Sequence, residues 1–311
     1  MKYEIGGYRL IRFLVFSDLH YDHVFDANKR IDTLIDKING STLHFAISLG
    51  DLCYPIKSNK SIIDRLRGLQ VPVYYCVGNH DCENYDYQNI KDFFEFDELH
   101  YSFVIDDTKF IVLNSCFMEH DGKTALYNKE KHDKKTDIYP LIPESEIEWL
   151  IAETTNDALK YIIFSHHSLA NDFKNRGIHN KNVIRDILEK KSTLLCMNGH
   201  DHGDNLAVIN EIPYFTVNSA SYIWHGIKSV YSYEEEIHKQ YPFLKDIILY
   251  KDPLHCIVEI DDETVKIYGM NSDFQRIRPE DVGINDRWWN GVSIEPKISD
   301  LTFPMASFFT L

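Results

Sequence analysis

Five apolar runs in this chain each end in a short polar motif, and that alternation constrains the fold more than any other feature of the sequence. Residues 13–16 lead into Asp18-Leu19-His20, 45–49 into Gly50-Asp51, 73–77 into Gly78-Asn79-His80-Asp81, 161–164 into His166-His167, and 194–197 into Gly199-His200-Asp201-His202. Runs of four to six aliphatic or aromatic residues bounded by Gly, Asp or Asn predict buried strands. Polar residues just past such strands face the crevice where α/β sheets bind ligands, so all five motifs are expected at one sheet edge.

The intervening sequence predicts β-α-β-α-β order, an α/β layer. Ile31, Leu34, Ile35 and Ile38 fall on one helical face with Gly40 as its stop, and a second helix is expected over residues 61–69. Asp106-Asp107 joins two halves of a hairpin, Pro143-Glu144 opens an amphipathic helix, and a further hairpin is expected within 255–268. Two segments read as additions. Residues 117–139 are polar and longer than an ordinary connection, which predicts a surface loop near the motif edge. After Ser219 comes a Tyr- and Glu-rich stretch, expected to be helical to about residue 249, and then a tail carrying Trp288, Trp289 and Phe303. Those aromatic residues suit either a ring-stacking wall or packing of a tail onto the core, and packing is the commoner use.

Asp and Asn oxygens suit hard cations and imidazoles suit Zn, Fe or Mn, while no Cys lies at ligand spacing among the motifs. Taken singly, each His reads equally well as a satisfied core histidine, Asp18 and Asp51 as helix caps, and Asn79 as a turn residue. Taken jointly and in order, they favour a hydrolytic pair of metal ions.

The ordered set D-x-H, G-D, G-N-H-D, a strand-terminal His and G-H-x-H over residues 18–202 resembles the calcineurin-like metallophosphoesterases. With G-N-H-D in place of G-N-H-E, and no Asp-Arg-Gly after Gly50-Asp51, it is more similar to the bacterial cyclic-nucleotide phosphodiesterase and purple-acid-phosphatase-like branches than to the protein phosphatases. The resemblance implies a four-layer α/β sandwich of two mixed β-sheets flanked by helices, with a catalytic domain over 1–270 and a tail, 271–311, packed on it. It implies one metal held by Asp18, His20 and His202, a second by Asn79, His166 and His200, and Asp51 bridging both. The ions would be Mn, Fe or Zn; Tyr54, three residues after Asp51, stands where purple acid phosphatases carry an iron-binding Tyr. A metal-bridging hydroxide would attack phosphorus, His80 would protonate the leaving group with Asp81 orienting its ring, and Asn79, His80 and His167 would contact substrate.

The substrate implied is a small phosphodiester, with a cyclic nucleotide among the candidates; phosphomonoesters and nucleotide pyrophosphates are the alternatives. A catalytically silent metal-binding regulatory module is the reading from another class. With 33 basic and 48 acidic residues the net charge is −15, which opposes binding to nucleic-acid polymers or an anionic bilayer. Cys53, Cys76, Cys82, Cys116, Cys196 and Cys256 form no C-x-x-C pair, and the first dozen residues carry no apolar leader pattern. Both features fit a reduced, cytoplasmic protein.

Overall fold

A computed structural model describes residues 4–5, 8–173 and 176–305. Strands β1 (Ile11–Phe16), β2 (Phe45–Ser48) and β3 (Val73–Tyr75) run parallel, linked by helices α1 (Ala27–Asn39) and α2 (Lys60–Arg67). The short helix α3 (Asn79–Cys82) and α4 (Tyr87–Phe94) follow, then the hairpin β4 (Tyr101–Ile105) and β5 (Thr108–Val112).

Next come β6 (Phe117–His120), β7 (Lys123–Leu126), β8 (Ile138–Leu141) and helix α5 (Glu144–Glu153). Strand β9 (Lys160–Ser165), helix α6 (Lys181–Leu188) and β10 (Thr193–Asn198) precede the hairpin β11 (Asn205–Ile209) and β12 (Ile212–Thr216). Beyond it lie β13 (Tyr222–Trp224), α7 (Glu235–Gln240), β14 (Ile247–Leu249), β15 (Cys256–Ile260), β16 (Thr264–Tyr268) and β17 (Leu301–Pro304).

Two six-stranded mixed sheets result, ordered β17-β16-β15-β1-β2-β3 and β11-β12-β10-β9-β5-β4. Successive side chains of a strand point to opposite faces, and both faces of each sheet are covered. Phe13 and Val15 of β1 meet Phe110, Val112, Ile162 and Phe164 of the second sheet, with the Phe13 and Phe45 rings stacked at 4.6 Å. Leu14 and Phe16, on the other face of β1, pack under Ile31, Leu34 and Ile38 of α1 and Ile62, Ile63 and Leu66 of α2. Ile111 and Ile163 pack the outer face of the second sheet against Leu150 of α5 and Ile184 and Leu188 of α6. The architecture is the expected four-layer sandwich, helix–sheet–sheet–helix.

Both additions depart from expectation. Residues 117–139 are not a loop: β6 pairs antiparallel with β7 and β8 in a three-stranded ribbon. The polar composition misled because a ribbon with one face in water needs few apolar residues. The stretch to residue 249 is helical only over Glu235–Gln240; Pro242 opens a 3-10 turn, and Ile247–Leu249 pairs with Tyr222–Trp224 instead. Pro242 removes a backbone donor, and the β-branched Ile247-Ile248 pair suits a strand. The segment beyond 271 supplies the edge strand β17 and buries Val282, Ile284, Ile294 and Ile298 in the intersheet core.

Candidate metal centre

Each motif sits on the loop that leaves the end of a parallel strand, and these loops are laced together by backbone hydrogen bonds. Asp18 N donates to Gly50 O at 3.0 Å, His20 N to Asp51 O at 2.9 Å, and Gly199 N to His166 O at 3.1 Å. Asp18, His20, Asp51, His200 and His202 all have left-handed backbone, with φ of 51°, 48°, 53°, 65° and 50°. Non-glycine residues rarely adopt it, and such strain collects where side chains must be aimed against local preference. The glycines between them are fixed by crowding: a Cβ on Gly78 would fall on the Asp51 carboxylate, and one on Gly199 on the Ser17 hydroxyl and Asp18 carboxylate.

Two groups of side chains converge on Asp51. On one side, His20 Nε2 lies 3.7 Å from Asp18 Oδ1 and 3.6 Å from Asp51 Oδ2, and His202 Nε2 lies 3.3 Å from Asp18 Oδ1. On the other, His166 Nε2 lies 3.3 Å from Asp51 Oδ2 and 3.1 Å from Asn79 Oδ1, with the His200 ring 5.1 Å from the His166 ring. The seven expected ligands are thus brought together, with Asp51 Oδ2 within reach of a ring nitrogen from each group.

The donor set fits cations. Asp18 Oδ1 is buried without a hydrogen-bond partner. His202 Nδ1 faces the Tyr222 carbonyl at 2.7 Å and His166 Nδ1 the Leu49 carbonyl at 2.8 Å. A carbonyl only accepts, so both Nδ1 atoms carry a proton and each ring turns its Nε2, the atom a metal would take, to the site. His202 Nε2 and His20 Nε2 lie 3.0 Å apart, within hydrogen-bond distance and close enough for one cation to be held by both.

Electrostatics point the same way. Burial drives the His20 and His200 rings well below the usual imidazole range, which keeps them neutral. Burial also opposes charge on His166, yet the facing Asp51 carboxylate lifts it to about 9. Burial likewise opposes charge on Asp51, but His166 and His80 hold it well below the usual carboxylate range. A proton on His166 therefore occupies, in the metal-free chain, the place of positive charge that Asp51 demands.

Three expectations change. Asp81 does not orient His80: its Oδ2 accepts from Gly78 N at 2.8 Å and Asp51 N at 2.9 Å, so it braces the turn that carries both. Burial and the neighbouring Asp51 charge push its carboxyl up to about 8. The carboxylate facing His80 is Glu83, whose Oε1 lies 2.8 Å from Nδ1. His167 packs on His200 with ring centroids 4.2 Å apart, but its Nδ1 lies 3.0 Å from Ser115 Oγ and its Nε2 2.9 Å from Tyr139 OH, so both ring nitrogens are engaged by protein rather than open to substrate. Tyr54 turns its hydroxyl to His23 Nε2, 2.9 Å away, rather than to the ligand group.

The family profile described as calcineurin-like phosphoesterase matches residues 11–204, more than half of the chain. The chain belongs to the calcineurin-like phosphoesterase family. Among solved structures it is similar to a dimetal phosphatase from Danio rerio, at 12% identity and TM-score 0.59 over 95% of this chain and 99% of that one. It is also similar to GAP50, the anchor in the inner membrane complex of Plasmodium, at 14% identity and TM-score 0.52 over 83% of each chain. At these identities the likeness is one of fold. No curated protein matches the sequence. Among the described residues no helix is long and apolar enough to cross a membrane, and all six cysteines are buried free thiols.

Around the family's ligand set, the fold adds residues that the motifs did not single out. His23 stacks on His20 with centroids 4.9 Å apart, bonds Tyr222 OH and Tyr54 OH, and leans on Phe243 at 4.3 Å. Burial takes its ring down to about 3, so it stays neutral. Its spacing, three residues after His20 in the loop before α1, was the available signal. Ser219 and Ser221 hydroxyls donate to the Asp18 and Leu19 carbonyls at 2.9 and 2.6 Å, clamping the first motif from a segment far along the chain.

Proposed function

We propose that this chain is a metal-dependent hydrolase of small phosphodiesters, with Asp18, His20 and His202 holding one ion, Asn79, His166 and His200 a second, and Asp51 both. The observation that carries this reading is the convergence of the two groups on Asp51, beside His80, which lines a small cleft. When bound, the ions supply Lewis acidity and a water acidic enough to serve as nucleophile near neutral pH.

The chain's own residues orient and protonate. His80 N donates to Asp51 Oδ1 at 2.8 Å, which anchors the His80 backbone against the residue that would hold both ions. Glu83 Oε1 lies 2.8 Å from Nδ1, and His80 lines the cleft, where its Nε2 would deliver a proton to the leaving oxygen. Burial alone would lower the His80 ring, but the Asp51 and Glu83 carboxylates raise it above the ordinary value, in keeping with a donor. The cleft is small, with an empty volume of about 160 Å³, and is lined by His20, Asp22, His23, Asp51, Cys53, Tyr54, His80 and Asp81. With no Lys or Arg among these residues, the lining suits a phosphodiester monoanion better than a monoester dianion.

The test uses protein reconstituted with Mn²⁺ and offered bis(p-nitrophenyl) phosphate and p-nitrophenyl phosphate. Preferential release of nitrophenol from the diester is expected. Preference for the monoester replaces the diesterase reading with a phosphomonoesterase, and turnover of neither, nor of nucleotides, leaves a binding module.

A further inference from the structure

We propose that Glu83 is a positioning residue for His80, and that Lys129 locks Glu83 in place so that the β6–β8 ribbon sets the aim of the proton donor. This rests on the reading of His80 as the group that protonates the leaving oxygen.

Glu83 lies one residue beyond α3, three after His80, close to the spacing at which side chains on a helical turn meet. Its carboxylate, 6% exposed, has Oε1 2.8 Å from His80 Nδ1 and 2.9 Å from Lys129 Nζ, while Oε2 faces Tyr54 OH at 3.5 Å. Lys129 is attached a second time, its backbone N donating to the Glu83 carbonyl at 2.8 Å. Lys129 follows β7 within the ribbon, far along the chain from the five motifs.

A carboxylate this buried is tolerated only between positive or donating groups, and here the groups are Lys129 and the His80 ring. The two contacts share one oxygen, so Lys129 fixes where that oxygen sits and thereby the plane His80 must adopt. The His80 approach is short but poorly aligned with the N–H direction, since Nδ1 satisfies no hydrogen-bond geometry. Such contacts in catalytic sites tighten when substrate binds. With Glu83 Oε1 held 2.8 Å from Nδ1, Nε2 is the ring nitrogen left free of protein carboxylate. A purely structural reading, in which the Glu83–Lys129 pair clips the ribbon to α3, makes a different prediction, because it ties Glu83 to stability and not to the leaving group.

The deciding experiment measures kcat and KM of Mn²⁺-loaded protein on aryl phosphodiesters whose leaving phenols range from nitrophenol to unsubstituted phenol. A proton donor matters most when the leaving group is basic. His80→Ala is the reference and should steepen the dependence of kcat on leaving-group basicity. Glu83→Gln should steepen it in the same sense, lowering kcat roughly 10- to 100-fold for phenol and less than about threefold for nitrophenol, with KM and bound manganese unchanged. Glu83→Asp should recover part of the loss, and Lys129→Met should reproduce the pattern more weakly.

An unchanged leaving-group dependence in His80→Ala removes the donor reading itself. A steepened dependence in His80→Ala, with Glu83→Gln lowering all substrates equally or none, leaves His80 in place and overturns the role of Glu83. Should Glu83→Gln fail to fold, Lys129→Met carries the same slope test, and a wild-type slope there overturns the proposal.

Discussion

The cradle that gathers the ligands and the shoulder that surrounds His80 are neighbours built on opposite plans. In the cradle, ligands follow parallel strands within a few residues, backbone bonds join loop to loop, and left-handed residues aim the side chains. Its parts have almost no freedom: Gly50, Gly78 and Gly199 each lack room for a Cβ because a neighbouring motif fills it. In the shoulder, His80 is 28% exposed on its side chain, and its partners Glu83, Lys129 and Tyr54 meet through side-chain ends. The residues proposed to hold ions are set in rigid backbone; the residue proposed to move a proton is set among side chains with room to adjust.

The comparison breaks most decisively at Asp51. Asp51→Asn keeps the shape but removes the charge shared by both groups, so roughly a thousandfold loss of kcat with at least one ion lost is expected. Elemental analysis of the purified variant checks this, and two retained ions with normal turnover would place the bridge elsewhere. His80→Ala stands as the contrast: roughly 10²- to 10⁴-fold loss of kcat on basic leaving groups with the metal content of the parent.

Gly78→Ala probes rigidity. The new Cβ would collide with the Asp51 carboxylate and backbone N, so the turn must shift or Asp51 must move. About 1–3 kcal/mol of destabilisation is expected, together with weaker metal binding. Thermal unfolding with and without Mn²⁺ separates the two, since an intact cradle would show the same metal-induced stabilisation as the parent.

The legibility of the molecule divides along the same line. Cradle residues could be read because strand and ligand are adjacent in sequence, so an apolar run followed by Asp, Asn or His reports both fold and chemistry. The α/β layer and the hairpin joined at Asp106-Asp107 followed from the apolar runs, and the four-layer sandwich from the family resemblance. The shoulder was obscure because its contacts span the chain: Lys129 reaches Glu83 across 46 residues, and Tyr222 reaches His23 across 199. Nothing local marks such partners. Asp81 was misread for a related reason. Adjacency to His80 suggested a dyad, but on a helical turn residue i+1 points away while i+3 faces back, which is the position Glu83 approximates.

Tyr222→Phe tests the shoulder more gently. It removes the hydroxyl from His23 Nδ1, while Tyr222 O still holds His202. About 1 kcal/mol of stability should be lost, with metal content unchanged. A variant that loses an ion would show that His23 and its partners belong to the cradle.

The smallest effect concerns a pair remote from the ions. Glu146 on α5 accepts from Asn114 N at 2.9 Å and faces His100 Nδ1 at 2.6 Å, bracing the strand end that leads to Ser115 and thence to His167. Hydrogen bonding to Glu146 raises the His100 ring above its ordinary value of 6.5, against the opposing effect of burial. A group whose folded value is raised stabilises the fold fully below its unfolded value, and that contribution is lost as pH rises through the folded one. Wild-type protein should therefore lose stability relative to His100→Gln as pH rises above the ordinary imidazole value of 6.5, by a shift in unfolding midpoint of about 1 °C. Saturating Mn²⁺ keeps the ligand histidines from titrating in that window, so the difference between the two pH slopes belongs to this pair. Equal slopes would mean that His100 and Glu146 contribute packing alone.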